Sequence, residues 1–243
     1  MKRVPDTETR IRVGDDGTSI DPSGVKYILS PYDEFALEGA LRTVEAIGEG
    51  EVVAVTLGDA SSAETLRSAL AMGAHRAIHL KGEPTMDGLG TAKVLAEAIQ
   101  AEDAPLVLLG VKAADDDQQQ VGPMLATLLG RPCATSVSSF QVEDGGVGCR
   151  REVEGGTAVM RLPLPAVLTI TKGEFEPRYA SLKGIMAAKR KPLEERGVTV
   201  PAAGLKVEAF TSPPDRAAGR IVGEGSDAVP ELVRLLREEA QVI

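Results

Sequence analysis

The chain has 243 residues, of which 43% are hydrophobic, and this suits one large α/β domain or one domain with an appendage. Its 27 basic and 36 acidic residues give a net charge of −9, which argues against general binding of nucleic acid. No apolar run reaches the roughly 18 residues of a bilayer span, no apolar region follows the N-terminal "MKRVPDTETR", and the two cysteines form no CxxC pair, so we expect a cytoplasmic protein without membrane insertion.

The first half of the chain alternates helix-like with strand-like segments. "SPYDEFALEGALRTVEAIGEG" predicts a helix with Ser30 as its N-cap and Pro31 at its first position. The next elements are a strand at 51–58, a helix that ends at Gly73, a strand "RAIHL", a helix "LGTAKVLAEAIQAED", a strand "PLVLLG" and a helix "QQVGPMLATLLG". This alternation predicts an α/β fold with a mostly parallel sheet and helices on both faces.

The second half has a different pattern. Short strands separated by two GG turns over 137–171 predict hairpins and a small antiparallel extension. "EFEPRYASLKGIMAAKRKPLEERG" predicts a loop that passes into a basic helix, "TSPPDRAAGR" predicts irregular chain, and "DAVPELVRLLREEAQ" predicts a terminal amphipathic helix. We therefore expect an α/β domain over 1–195 and, over 196–243, a C-terminal arm too small to bury a core of its own.

Three adjacent carboxylates, Asp115, Asp116 and Asp117, follow the strand "PLVLLG". The simplest interpretation is that one of them caps a helix that begins near Gln118 and that the others are solvated. A metal site is disfavoured because such a site needs several converging ligands, and the two histidines of the chain fall on a turn and a strand. The sequence contains no GxSxG, Walker A or GxGxxG motif, so no catalytic residue is predicted.

A nucleotide cradle is the alternative for the same stretch. Backbone N–H groups at a helix N-terminus bind phosphate without a basic side chain. Gly110 allows a close approach at the strand end, and the small side chains of Ala113 and Ala114 leave room for a ligand. The three glutamines that follow offer amide groups to a base or a ribose.

The segment "EFEPRYASLKGIMAAKRKP" places Leu182, Ile185 and Met186 among basic residues. It is either an amphipathic surface helix whose apolar side packs on the core, or an exposed apolar anchor that favours an acidic protein partner.

Six segments resemble the β subunit of electron transfer flavoproteins, in the order in which that family has them. They are "KRVPDTETRIRV", "SPYDEFALEGALR", "TLRSALAMGAHRAIHL", "LVLLGVKAADDDQQQVGP", "LPAVLTITKGEFEPRYASLKGIMAAKRKP" and "PPDRAAGR". The resemblance implies a Rossmann-like fold of the adenine-nucleotide alpha hydrolase type and a heterodimer with an α subunit, which binds most of the FAD. It also implies a structural AMP in this subunit, and an electron carrier that connects acyl-CoA or other flavin dehydrogenases to a quinone oxidoreductase without catalytic turnover of its own.

The resemblance also implies site residues. The nucleotide-binding residues would be Ser30, Pro31, Tyr32, Asp33, Thr56, Leu57, Gly110, Val111, Lys112, Ala113, Ala114, Asp115, Asp116, Asp117, Gln118, Gln119, Gln120 and Val121. A dehydrogenase-recognition segment would span 170–192, with Leu182 as its anchor beside Ile185 and Met186. Glu152 would help to position the mobile flavin domain.

The chain departs from the family pattern in two respects. The family has a strand before "KRVPD", whereas only Met1 precedes Lys2 here, so we expect either an internal start or a sheet that lacks most of this strand. Electron-bifurcating members hold a second FAD where others hold AMP, and they resemble "DGDTxQVGP" at this site. Asp116 and Gln118 replace the glycine and the threonine of that motif, which favours AMP. A bifurcating subunit with FAD, a stand-alone nucleotide sensor and a small hydrolase remain alternatives.

Overall fold

The computed structural model describes residues 1–84, 87–214 and 218–243. Its chain packs into two units, Met1–Phe210 and Thr211–Ile243. The domain boundary predicted near residue 195 thus lies within the first unit, and that subdivision stays a prediction. Part of the segment "TSPPDRAAGR", residues 215–217, lies outside the described residues.

The strands are β1 (Arg3–Pro5), β2 (Tyr27–Leu29), β3 (Val53–Gly58), β4 (Arg76–Lys81), β5 (Leu106–Gly110), β6 (Cys133–Glu143), β7 (Gly146–Val153), β8 (Gly156–Pro163), β9 (Ala166–Ile170) and β10 (Leu193–Gly197). The helices are α1 (Pro31–Ile47), α2 (Ser62–Met72), α3 (Gly88–Glu102), α4 (Val121–Leu129), α5 (Leu182–Ala188) and α6 (Val229–Glu238).

Most strand pairs of the first unit are parallel. One sheet has the order β10-β4-β3 with parallel neighbours. A second has the order β5-β9-β6-β7-β8, in which β5, β9 and β6 are parallel and the β6–β7 and β7–β8 hairpins are antiparallel. A short antiparallel pair, β1–β2, and an isolated antiparallel bridge between Val13 and Ile20 lie outside these two sheets. The predicted mostly parallel α/β fold with a small antiparallel extension is confirmed.

Helices cover both faces of the parallel strands. Along β4, Ala77 packs into an apolar cluster with α1 and α2, whereas Ile78 and Leu80 pack into another with α3 and α4. Successive side chains of a strand point to opposite faces, so this alternation places one pair of helices on each side. It also explains why β4 reads as an almost continuous apolar run.

Two strands differ from the sequence-based expectation. "TAVMRLPLPAVLTITKG" contains β8 and β9 rather than one strand, and β9 returns to the parallel part of the sheet between β5 and β6. All five residues of β9 are buried, as expected for a central strand covered on both faces. In "LEERG" the expected helical continuation is replaced by β10, an edge strand whose Arg196 forms ion pairs with Glu102 and Glu194.

The second unit contains a short 3₁₀ turn, Ser226–Ala228, followed by the predicted amphipathic helix α6. Its apolar residues Val229, Leu232 and Val233 are exposed. Among the described residues, no helix has both the length and the apolar character required to span a bilayer.

Candidate functional site

A cavity of about 350 Å³ lies where β3 and β5 end and α2, α3 and α4 begin. In open α/β sheets, ligands bind outside the carboxyl ends of the strands. The predicted site residues that line it are Asp33, Leu57, Gly110, Val111, Lys112, Ala113, Asp116, Gln118, Gln119, Gln120 and Val121. Those outside its lining are Ser30, Pro31, Tyr32, Thr56, Ala114, Asp115 and Asp117.

The loop before α4 presents a group of backbone donors to this cavity. Gln119 has φ 56°, in the left-handed region, and Gln120 follows at φ −98° and ψ −37°. Such an alternation turns successive N–H groups toward one point and forms an anion-binding concavity. In the part of the chain that the structure describes, the N–H groups of Gln119 to Gly122 have no acceptor. The loop therefore offers four donors at the positive end of a helix.

The three aspartates are ion-paired rather than acting as helix caps. Helix α4 begins at Val121, and no side chain caps its start, so the predicted start near Gln118 and the predicted cap are wrong. Asp115 and Asp116 each lie 2.8 Å from Lys2 Nζ. The third, Asp117, lies 2.7 Å from Lys112 Nζ. The contacts of Lys2 join residues more than a hundred positions apart, so they could not be predicted from the local sequence.

Electrostatics follow from these ion pairs. Burial acts to lower the pKa of Lys2, but its hydrogen bonds to Asp115 and Asp116 outweigh that effect and raise the pKa. The hydrogen bond to Asp117 raises the pKa of Lys112. Both lysines therefore stay charged and pair with the three aspartates, while Asp33, Asp59 and Glu83 also line the cavity. Among the described residues, no group of three or more histidine, cysteine or acidic side chains is arranged to hold a metal ion.

Asp33 connects three parts of the fold at the edge of the cavity. Its Oδ1 accepts a hydrogen bond from the Gly110 N–H at 2.9 Å, and its Oδ2 accepts one from the Lys2 N–H at 2.8 Å. A Cβ on Gly110 would lie 2.7 Å from the Tyr32 carbonyl carbon and 2.8 Å from the Asp33 nitrogen. The close approach at Gly110 is therefore with the first turn of α1.

Ser30 and Thr56 lie in the interior beside the first residues of the chain. The Met1 ammonium donates to the Val55 carbonyl at 2.7 Å, and Thr56 Oγ1 donates to the Met1 carbonyl at 2.6 Å. Ser30 is fully buried, and its hydroxyl has no partner among the described residues. Met1 thus lies beside β3.

Sequence reasoning missed several residues that line the cavity. They include Lys2, Asp59, Ser62, Gly88 and Thr91. The available signal was topological, since α2 and α3 also begin after parallel strands and their first turns must lie at the same edge of the fold.

The predicted recognition segment, residues 170–192, buries Ile170 and Phe175 near its start and exposes the apolar side chains of α5. Leu182 is 84% exposed, and Ile185 and Met186 are also exposed, whereas Ala188 is the buried residue of α5. Ser181 caps the helix by accepting from the Gly184 N–H at 3.0 Å. Of the two interpretations, the arrangement matches an exposed apolar anchor. Glu152 is exposed on β7 and lies outside the lining of the 350 Å³ cavity.

Comparison with known proteins identifies extensive similarity. The family model for the electron transfer flavoprotein domain matches residues 18–201. Electron transfer flavoprotein subunit beta of Bradyrhizobium diazoefficiens is 43% identical over 100% of this chain and 98% of its own length. The human protein of the same name is 40% identical over 98% of this chain and 96% of its own length, and that of Syntrophomonas wolfei is 36% identical over 100% and 96%.

Proposed function

Because the chain belongs to the electron transfer flavoprotein family, as a β subunit, we propose that it forms a cytoplasmic heterodimer with an α subunit that binds most of the FAD. The heterodimer accepts electrons from acyl-CoA or other flavin dehydrogenases and passes them to a quinone oxidoreductase. This chain serves as a carrier subunit and has no turnover of its own. The resemblance that runs through the whole chain supports this role.

The nucleotide cavity is proposed to hold AMP. The observation that carries this proposal is the set of backbone donors from Gln119 to Gly122, which matches the needs of a phosphate group. A volume of about 350 Å³ lies near the small end of ligand pockets, which suits a mononucleotide. The glutamine amides and the Asp116 carboxylate would serve the ribose and the base.

The charges around the cavity are compatible with a phosphate dianion. Asp116 lies on the lining, and an unpaired carboxylate there would repel phosphate. Its ion pair with Lys2 offsets that repulsion, and Lys112 also lines the cavity. The ion pairs with the two lysines therefore reduce the repulsion that the aspartate cluster would exert on a phosphate group.

The test is to identify the bound nucleotides. The chain is co-expressed with its α subunit, the heterodimer is purified and denatured, and the released nucleotides are identified by mass. We expect one FAD and one AMP. Two FAD molecules would show the bifurcating variant instead, and a stable monomer that binds nucleotide reversibly and recruits no α subunit would show a sensor module.

A matched pair of variants assigns the AMP to this cavity. Thr91 on α3 is half-buried and lines the cavity, so Thr91→Phe should fill it and abolish AMP binding while FAD remains. Thr127 on α4 is exposed, so Thr127→Phe makes the same change in side-chain volume away from the cavity. Retention of AMP by Thr91→Phe would place the nucleotide elsewhere.

The C-terminal arm is proposed to dock on the α subunit. Helix α6 carries exposed Val229, Leu232 and Val233 together with four charged residues, which is typical of an interface helix. Leu232→Glu should reduce the amount of α subunit that copurifies and leave the secondary structure, measured by circular dichroism, unchanged. Undiminished recovery of the α subunit would contradict this docking.

A further inference from the structure

The exposed part of the recognition segment, residues 176–187, has no buried side chain. It borders a cavity of about 1190 Å³ that also involves α1 and α2. Tyr179 is 98% exposed and Leu182 is 84% exposed, so neither gains much from packing. A stretch with few buried apolar contacts opens easily unless other interactions hold it. Its course therefore depends on how its two ends are attached.

The C-terminal end of the segment is attached to α2 and the turn after it. Arg67 Nη1 donates to the Ala188 carbonyl at 2.6 Å and to the Lys191 carbonyl at 3.0 Å. Lys191 Nζ in turn donates to the carbonyls of Leu70 at 3.0 Å and Ala74 at 2.6 Å. These bonds, together with burial of Ala188, fix the chain where α5 ends.

The N-terminal end of the exposed part, which follows the buried Phe175, is held by Arg178. Its Nε lies 2.7 Å and its Nη2 3.1 Å from the carboxylate oxygens of Glu38. Its Nη1 lies 2.6 Å and its Nη2 3.0 Å from those of Glu45. One guanidinium thus bonds two carboxylates that lie about two turns apart on α1. Between Phe175 and Ser181, the described hydrogen bonds to the framework are those of Arg178 and one of 3.4 Å from Arg42 to the Glu176 carbonyl.

Glu38 makes this attachment strong. The side chain of Glu38 is 3% exposed. Burial acts to raise the pKa of Glu38, but the hydrogen bonds from Arg178 and Arg42 outweigh it and lower the pKa. A buried carboxylate that loses its partners is costly, so the folded state keeps Arg178 in place. A lysine at this position could not reproduce the double bidentate contact.

Through Arg178 the recognition segment is also connected to helix α1, which is itself bonded to the sheet. The same helix α1 is tied at its first turn to β5 and to Lys2 through Asp33. An exposed anchor whose position is set before binding avoids the entropic cost of ordering during association. We propose that Arg178 is a positioning residue, which fixes the start of the exposed part of the recognition segment, residues 176–187, so that Leu182 meets a protein partner in one conformation. This inference rests on the proposed function, in which that partner is a flavin dehydrogenase.

The test uses the purified heterodimer as electron acceptor for an acyl-CoA dehydrogenase. For Arg178→Met we expect a rise in KM for the heterodimer of about tenfold, from the ordering cost of several side chains, with kcat changed less than about twofold. Arg178→Lys should give an intermediate KM, because one ammonium replaces two bidentate contacts. Hydrogen exchange of the amides of 179–187 should be faster in Arg178→Met than in the unaltered protein.

Arg196 provides a matched control. Like Arg178 it bonds two carboxylates, Glu194 at 2.6 Å and Glu102 at 2.7 Å, and its side chain is 30% exposed against 34% for Arg178. Arg196→Met should lose comparable stability because it also breaks two ion pairs. Since Arg196 lies on β10, both KM and exchange in 179–187 should stay unchanged. Equal KM values for the Arg178→Met and Arg196→Met heterodimers would overturn the inference.

The two proposals fail in distinguishable ways. If the unaltered heterodimer is not reduced by any flavin dehydrogenase, the proposed function fails. The hydrogen-exchange measurement still shows whether the contacts of Arg178 with Glu38 and Glu45 order residues 179–187. If the unaltered heterodimer is reduced but exchange in 179–187 does not respond to Arg178→Met, the positioning role fails alone.

Discussion

Gly110 is a residue at which a single added methyl group should disturb both the fold and the cavity. It is the last residue of β5, it lines the nucleotide cavity, and its N–H donates to Asp33. The Gly110→Ala Cβ would lie 2.7 Å from the Tyr32 carbonyl carbon and 2.8 Å from the Asp33 nitrogen. Carbon atoms in contact normally lie about 3.5–4.0 Å apart. The first turn of α1 must therefore move by roughly 1 Å.

The magnitude follows from the kind of atoms involved. The Tyr32 carbonyl carbon and the Asp33 nitrogen are backbone atoms, which cannot rotate away as the end of a long side chain does. Overpacking of this kind costs about 1–3 kcal/mol. For a chain of this size, each kcal/mol lowers Tm by about 2–4 °C, so Gly110→Ala should lower Tm by roughly 2–12 °C. Displacement of Asp33 should also reduce the AMP retained by the heterodimer.

Gly197→Ala is the control for this prediction. Gly197 is likewise the last residue of a parallel strand, β10, and within the described structure its added Cβ would meet no atom within 4 Å. The two variants share the change in backbone freedom and differ in the contact with α1. Tm of the heterodimers is measured by scanning calorimetry, and AMP content by mass after denaturation. Equal Tm and equal AMP content in the two variants would refute the reasoning.

Three further predictions concern the recognition segment, Glu38 on α1 and the aspartate cluster. Leu182→Ala should lower electron acceptance from the dehydrogenase by about tenfold or more. Because the side chain is exposed, this change should alter the free energy of unfolding by less than about 0.5 kcal/mol. Val159→Ala, at another exposed apolar residue, should leave electron acceptance unchanged. Glu38→Gln should destabilise the chain by about 1–3 kcal/mol near pH 7, measured by denaturant unfolding. Since the folded pKa of Glu38 is lowered, its stabilisation is complete above its unfolded pKa of about 4.3 and is lost as pH falls through the folded pKa, so the variant and the unaltered chain should converge in acid. Lys2→Met should weaken AMP retention by leaving Asp115 and Asp116 unpaired near the phosphate, and unchanged retention would contradict the charge-balance argument.

The regular elements were largely predictable from the sequence because their signals are local. The runs that form β3 and β5 are apolar and end in glycine, and α1 begins with a proline at its first position and acidic residues in its first turn. The order of these elements also predicted parallel pairing. β10 could not be found this way, because "LEERG" is an edge strand whose arginine and glutamates are satisfied by ion pairs rather than by burial.

The candidate site likewise has features that the local sequence predicts and others that depend on tertiary contacts. The sequence by itself determined the fold class, the family and the stretch at 110–121 that contributes most of the predicted lining of the cavity, because these depend on local pattern and on residue order. Only the tertiary structure decided that Lys2 neutralises aspartates more than a hundred residues away, that Gly110 accommodates α1, and that Arg178 holds the recognition segment to Glu38 and Glu45. Those contacts arise between distant segments, and their geometry exists once the sheet and its helices have packed.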